Sequence, residues 1–186
     1  MGKVVIMNGN PSLTSRLNGM IQHVERRLLQ EGMDIEHIQV AELPADDLIK
    51  AKFDSEPILR ANQKVEEAKG IIIASPVYKA AYTGALKTYL DLLPQKALSG
   101  KIILPLFIGG SIAHLLSIDY ALKPVLSTLG ARYIIGGVYA VDTWITRNGK
   151  ESYHLTKELI HRLDEAAAEL IEEIEMRSRL LPESAK

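Results

Sequence analysis

IIIASPVYKAAYTGALK occupies residues 71–87. It opens on an apolar, β-branched run, Ile71, Ile72, Ile73 and Ala74, the composition of a strand covered on both faces. Ser75-Pro76 ends the run abruptly. A tight loop carrying Tyr78 and Tyr82 then leads into a new helix. A buried parallel strand delivers a ligand-contacting loop from its carboxyl end in this way, at the edge where open α/β sheets bind their ligands.

Outward from this segment, strands and helices alternate. Residues 4–7 predict a short buried strand, broken by Asn8-Gly9-Asn10-Pro11-Ser12. From near Ser15, the residues Leu17, Met20, Ile21, Val24 and Leu28 recur at helical spacing, and Gly32 marks the stop. Residues 35–40 predict a second strand whose alternation of apolar and polar residues suits a sheet edge. Residues 43–57 read as an irregular connection and 58–68 as a helix ending at Gly70. The opening segment is followed by a helix over about 83–93, begun by Thr83 or Tyr82 and ended by Pro94. Residues 101–108 form the next strand, interrupted by Gly109-Gly110-Ser111. A helix over 112–129 is closed by Gly130, and a fifth strand covers 133–141. A polar loop, 142–151, precedes a long amphipathic helix over 153–179, whose stripe is Leu155, Leu159, Leu163, Ala166, Leu170 and Ile174.

Five strands separated by helical crossovers predict an α/β fold, a three-layer α/β/α sandwich around a five-stranded parallel sheet. With the second strand at an edge, the flavodoxin-like order 2-1-3-4-5 is expected. A Rossmann order is the rival. Rossmann dinucleotide binding needs G-x-G-x-x-G after the first strand, and here the corresponding loop, GNPSLTS from Gly9, has a single glycine. The length of 186 residues suits one domain over 1–186.

Composition narrows the function classes. Hydrophobic residues make up 47% and charged residues 24%, the balance of an ordinary globule. The formal net charge of −1 gives no electrostatic case for nucleic acid or an anionic membrane as partner. The absence of cysteine excludes disulfides, thiolate catalysis and zinc–thiolate sites. His23, His37, His114, His154 and His161 show no metal-ligand spacing, so no protein-bound metal is expected. No run of about 18 apolar residues offers a membrane span. The start, MGKVVIMNGNP, has no long apolar signal region, and a cytoplasmic location is expected.

In such a sheet the loops after strands 1, 3 and 4 project from one edge. Three segments therefore surround one crevice: residues 9–16, 76–82 and 109–114. The first has the parts of a phosphate site. Gly9 allows a close turn, Asn10, Ser12, Thr14 and Ser15 offer donors, Arg16 offers a charge, and the loop opens a helix. The plainer reading makes Ser12 or Ser15 an N-cap. In the second loop, Pro76 stiffens the exit from the strand. Tyr82 serves either the ligand or a packing contact, Lys87 reads as a surface ion pair, and Gly84 as a close-packing position. In the third, Gly109 and Gly110 let backbone approach a flat ligand. Ser111 suits a helix cap, and His114 is either a ligand contact or structural. Trp144, in the polar loop, is a candidate wall for a ligand or a partner subunit.

The stretches ASPVYKAAYTGALKTYLDLLPQKALSGK, from Ala74, and GGSIAHLLSIDYALKPVLSTLGA, from Gly109, resemble the NADPH-dependent FMN reductase family. Within it they are closest to the reductases of alkanesulfonate monooxygenase systems. The resemblance runs, more thinly, over about residues 3–140. It implies a flavodoxin-like subunit that reduces FMN at the expense of NADPH (NADH is possible) and hands reduced flavin to an FMN-dependent monooxygenase. It also implies a homo-oligomer, dimer or tetramer, with flavin near an interface. The cofactor-binding residues it implies are Gly9, Asn10, Ser12, Ser15 and Arg16 at the phosphate. At the ring they are Pro76, Val77, Tyr78, Lys79, Gly109, Gly110, Ser111 and His114, with backbone of Val77, Tyr78 and Lys79 at the polar edge and Tyr78 as apolar surface. Tyr120, in SIDYALKP, matches an inserted tyrosine that creates a π-bulge in such relatives. With Tyr82 it is assigned to the interface and flavin retention. Ordinary interface packing is the alternative for Tyr120. Pro124 independently predicts a disturbed helix. The first loop departs from the family's usual Gly-Ser-x-Arg, so Ser15 and Arg16 carry over more directly than Asn10 and Ser12.

Hydride transfer between stacked rings needs position rather than a protein acid or base, so no catalytic acid or base is expected. A quinone or azo reductase with tightly held FMN would use the same loops. A flavodoxin-type electron carrier would need a Thr/Ser-x-Thr-Gly-x-Thr phosphate loop and a strongly acidic surface, and this chain has neither. A non-catalytic interaction module on the same fold is the remaining class.

Overall fold

The computed structural model describes residues 2–12, 14–149 and 152–180. In chain order its elements are β1 (Lys3–Asn8), α1 (Leu17–Gln30), β2 (Asp34–Gln39), α2 (Ala45–Ile49), α3 (Glu56–Glu67) and β3 (Gly70–Pro76). There follow α4 (Gly84–Leu90), β4 (Ile102–Gly109), α5 (Lys123–Thr128), β5 (Tyr133–Ile134) and β6 (Val138–Val141). The chain continues with β7 (Ile145–Arg147), β8 (Tyr153–Leu155) and α6 (Lys157–Leu180). The main sheet has the order β2-β1-β3-β4-β5, with β6 continuing the fifth position against β4. Every pairing in it is parallel. This is the flavodoxin-like order.

Period-two alternation along the central strands divides the core between the two faces. Val4, Ile6, Ile72, Ala74, Leu104 and Leu106 face α1 and α6. Val5, Met7, Ile71, Ile73, Ile103 and Phe107 face α3, α4 and α5. Each of these side chains is fully buried. Burying a large one stabilises the fold by about 1.5–3 kcal/mol. β2 keeps an exposed face and lies at the edge, as its alternation predicts.

Several elements differ from the sequence expectation, each for a local reason. The connection 43–57 contains α2, a single short turn whose apolar residue Leu48 joins the core. α3 begins earlier than predicted because Pro57 sits in its first turn, where its missing N–H costs nothing. α4 stops at Leu90. Leu92 N–H then bonds the Tyr89 carbonyl at 2.9 Å, tightening the last turn.

The fifth strand is split into β5 and β6 by a bulge. Four steps from Ile134 to Val138 lie beside three steps from Ile103 to Leu106. The extra residue falls opposite Pro105, which has no N–H to offer a ladder. Gly137 comes so close there that a Cβ would stand 3.1 Å from Pro105 and 3.0 Å from Ile118.

The helix expected over 112–129 is three segments. A 3-10 turn covers Ile112–His114, a π-helix covers Ile118–Leu122 with Tyr120 at its centre, and α5 follows with Pro124 in its first turn. The π-helix implied by the resemblance is present. The polar loop expected over 142–151 holds a 3-10 turn, Asp142–Trp144, and β7, which pairs antiparallel with β8. Consequently α6 starts at Lys157, after Tyr153–Leu155 has been used as a strand. Ile145 and Leu155 anchor this hairpin in the core beneath α1 and α6. Among the described residues no helix is long and apolar enough to cross a membrane.

Candidate functional site

The carboxyl ends of β1, β3 and β4 bring the three loops together. Gly9 N–H donates to the Ala74 carbonyl at 2.8 Å, and Val77 N–H donates to the Ile108 carbonyl at 2.7 Å. Thr83 Oγ1 donates to the Gly9 carbonyl at 2.5 Å and accepts from Leu86 N–H at 3.1 Å. Thr83 is therefore the N-cap of α4 and also the tie between the first and second loops. A Cβ on Gly9 would stand 2.6 Å from Leu86, so glycine is what lets the first loop lie against α4.

Within the first loop, Asn10 is buried and its side chain serves the loop itself. Its Oδ1 accepts from Ser12 N–H at 3.2 Å, its Nδ2 donates to the Ser12 carbonyl, and its own N–H donates to Asn8 Oδ1 at 3.0 Å. Gln39 Nε2 holds the Asn10 carbonyl from β2 at 3.1 Å. Asn10 thus shapes the cradle through bonds of its own side chain to the Ser12 backbone. The hydroxyls of Ser12 and Thr14 lie 3.3 Å apart on the exposed side. Ser15 Oγ accepts from Leu17 N–H at 3.2 Å, at the start of α1. The N-cap position itself is Arg16, exposed and making no side-chain cap bond.

The second loop is a tight turn. Tyr78 N–H donates to the Ala81 carbonyl at 2.8 Å, and Ala81 N–H donates back at 3.2 Å. The two central residues, Lys79 and Ala80, have φ of 50° and 65°. Positive φ at both positions defines a type I′ turn, a conformation usually left to Asn and Gly. Tyr78 projects outward, about half exposed. Ser75, fully buried, accepts from Thr83 N–H at 3.1 Å and closes the base of the loop. Tyr82 is half-buried, and that burial raises the pKa of its phenol.

In the third loop, Tyr139 from β6 donates its hydroxyl to the Ser111 carbonyl at 2.6 Å. The same hydroxyl occupies the space where a Gly109 side chain would begin, and Gly109 also packs near Val77. Gly110 by contrast faces open space. Ser111 Oγ accepts from Ala113 N–H at 3.1 Å and caps the 3-10 turn. His114 is exposed at the end of that turn, outside the packed part of the loop. Burial raises the Tyr139 pKa, with the Asp142 charge adding to the shift.

Other candidates lie elsewhere. Lys87 pairs with Asp91 at 2.6 Å on α4. Gly84 has nothing within 4 Å of a Cβ, so it is not a close-packing position in this chain. Trp144 packs against the α1/α6 side of the core, with Arg162 lying 6.0 Å from its ring centre. Gln39 and Tyr139 support the site without having been singled out by pattern, and Thr83, read as a helix start, also ties the first two loops. Thr83 had a signal, as a threonine just before a helical run. Gln39 and Tyr139 had none, because their partners lie far away in sequence.

The three loops place apolar surface, open backbone and hydroxyl groups along one edge of the sheet. Gly110 faces open space, Tyr78 is about half exposed, and Ser15 lies at the N-terminal end of α1, where free N–H groups favour anions in general. The sequence profile of the NADPH-dependent FMN reductase family matches residues 2–146, and the chain belongs to that family. It is an oxidoreductase of FMN and NAD(P)H. Among curated relatives, an FMN reductase (NADPH) of Pseudomonas putida is 44% identical over 164 residues, covering 88% of this chain and 83% of its own. An FMN reductase (NADPH) of Escherichia coli is 44% identical over 170 residues, covering 88% and 85%. Among solved structures, an apo NADH:FMN oxidoreductase superposes with a TM-score of 0.81 at 32% identity, covering 91% of this chain and 88% of that one.

Proposed function

We propose that residues 9–16, 76–82 and 109–114 together hold FMN, with phosphate at the first loop and the ring between the other two. The observation that carries this reading is the type I′ turn at Tyr78–Ala81. Its central N–H groups take no part in the turn's own bonds, and such donors suit the polar edge of a flavin ring. Tyr78 and Gly110 provide the flat surfaces on either side. Bound FMN supplies the hydride acceptor. The chain supplies position.

NADPH is the preferred donor on this reading, in line with the two 44% identical relatives named for it. Reduced FMN leaves for a partner monooxygenase, of the alkanesulfonate or sulfur-assimilation type that the resemblance implies, in the cytoplasm. The protein forms one domain and works as a homo-oligomer. Support for the oligomer comes from Ile112, Leu115, Leu116 and Tyr120, which expose apolar surface on the segment leaving the third loop. Contiguous exposure of this kind suits a subunit contact. Tyr120 would then govern flavin retention from that interface.

Purified protein given NADPH and free FMN should oxidise NADPH with saturable dependence on FMN and should be colourless as isolated. Protein that purifies yellow and reduces quinones or azo dyes without added FMN would favour the tightly bound alternative. Absence of any FMN-dependent turnover would remove the reading.

A further inference from the structure

The β7–β8 hairpin returns over the start of α1 and brings Arg147 to the first loop. Arg147 Nη1 donates to the Thr14 carbonyl at 3.3 Å, and its Nε donates to the Gly149 carbonyl at 2.8 Å. Two bonds from different nitrogens set the plane of the guanidinium. The strands that present it are anchored on the core. Ile145 and Leu155 are buried, and Tyr153 packs so closely on α1 that a Cβ on Gly19 would stand 2.8 Å from it. Asn148 N–H closes the turn on the Ser152 carbonyl at 2.7 Å.

We propose that Arg147 is a positioning residue for the phosphate end of the site and a determinant of FMN over unphosphorylated riboflavin. The inference rests on the reading of residues 9–16 as the phosphate site. A trans peptide holds its carbonyl and the following N–H on opposite sides. A guanidinium that holds the Thr14 carbonyl therefore turns Ser15 N–H the other way and fixes it beside the Ser12, Thr14 and Ser15 hydroxyls. It also adds positive charge to a loop whose donors and helix start already favour an anion. The family profile stops at residue 146, one short of Arg147, so the shared pattern does not assign this residue.

The test compares kcat/KM for FMN and for riboflavin in wild type, Arg147→Gln and Arg147→Lys, at two salt concentrations. Arg147→Gln should lower kcat/KM for FMN about tenfold, mainly through KM, and change riboflavin by less than about twofold. Its FMN kinetics should depend less steeply on salt, and Arg147→Lys should recover part of the loss. Equal losses for both flavins, or an unchanged preference for FMN, would overturn the proposal. Ser15→Ala and Arg16→Ala, run in parallel, separate the two levels. If they abolish the preference and Arg147→Gln does not, this inference alone fails. If neither moves it, the phosphate reading of the first loop fails and the inference with it.

Discussion

Thr83 Oγ1 donates to the Gly9 carbonyl at 2.5 Å from a position almost completely buried. One hydroxyl thus joins the carboxyl ends of β1 and β3 and starts α4. Thr83→Val keeps the shape but leaves the Gly9 carbonyl and Leu86 N–H unpaired, which costs about 1–3 kcal/mol. A lower thermal midpoint and a raised KM for FMN are expected together. Thr83→Ser should stay near wild type in both measurements. A wild-type midpoint for Thr83→Val would contradict the tie.

The turn at Lys79 and Ala80 carries conformational strain. Residues other than Gly and Asn cost about 1–2 kcal/mol in the left-handed region. The double substitution Lys79→Asn with Ala80→Gly should raise stability by a net of about 0.5–1 kcal/mol after the added unfolded-state entropy of glycine. Chemical denaturation measures this, and FMN turnover should persist because the turn type is kept. A stability equal to or below wild type would mean that the turn is not under strain.

Two neighbouring glycines should respond differently. A methyl group at Gly109 meets the Tyr139 hydroxyl, whereas one at Gly110 meets open space. Gly109→Ala should therefore lower the thermal midpoint and weaken FMN use. Gly110→Ala should keep the midpoint within a degree or so, an overpacking cost being absent, while raising KM for FMN because the methyl group stands where a flat ligand would lie. Equal midpoints for the two variants would contradict the described contact.

Away from the site, Lys3 bridges Glu36 at 2.8 Å and Glu67 at 2.7 Å, joining β1, β2 and α3. The hydrogen bond from Lys3 is the largest cause lowering both carboxyl pKa values, and the bond to Glu36 is the largest cause raising that of Lys3. Depressed carboxyl values contribute stability above the ordinary glutamate value of about 4.3, lost as pH falls through the folded values. The raised lysine value contributes below about 10.4, lost as pH rises through the folded value. Lys3→Met should lower the melting temperature at pH 7, and the gap to wild type should narrow below about pH 4. High salt should narrow it too, since these groups are solvent-accessible. A gap independent of pH would point to packing of the lysine stem instead.

The fold was legible because its determinants are local. Ile71, Ile72 and Ile73 form a β-branched run without a polar face, bounded by Gly70 and Pro76, which marks a covered strand. The alternation over residues 35–40 marks an edge. What escaped reading depends on distant partners. The bulge between Ile134 and Val138 answers Pro105 in another strand, and the hairpin at 145–155 looks polar until Ile145 and Leu155 meet α1 and α6. Asn10 reads as a ligand donor in sequence, and the bonds of its side chain to the Ser12 backbone show only in the folded loop. The π-helix around Tyr120 was legible through resemblance and through Pro124, not through periodicity. Arg147 was hidden because an arginine in a polar stretch looks like a solvated charge until the hairpin carries it to Thr14.

The most direct test of the three-loop site is a crystal structure of the protein with FMN. The phosphate should lie at Ser12, Thr14, Ser15 and Arg16, and the ring should lie between the turn at Tyr78–Ala81 and the backbone at Gly110. FMN bound at any other surface, with these loops uncontacted, would contradict the account.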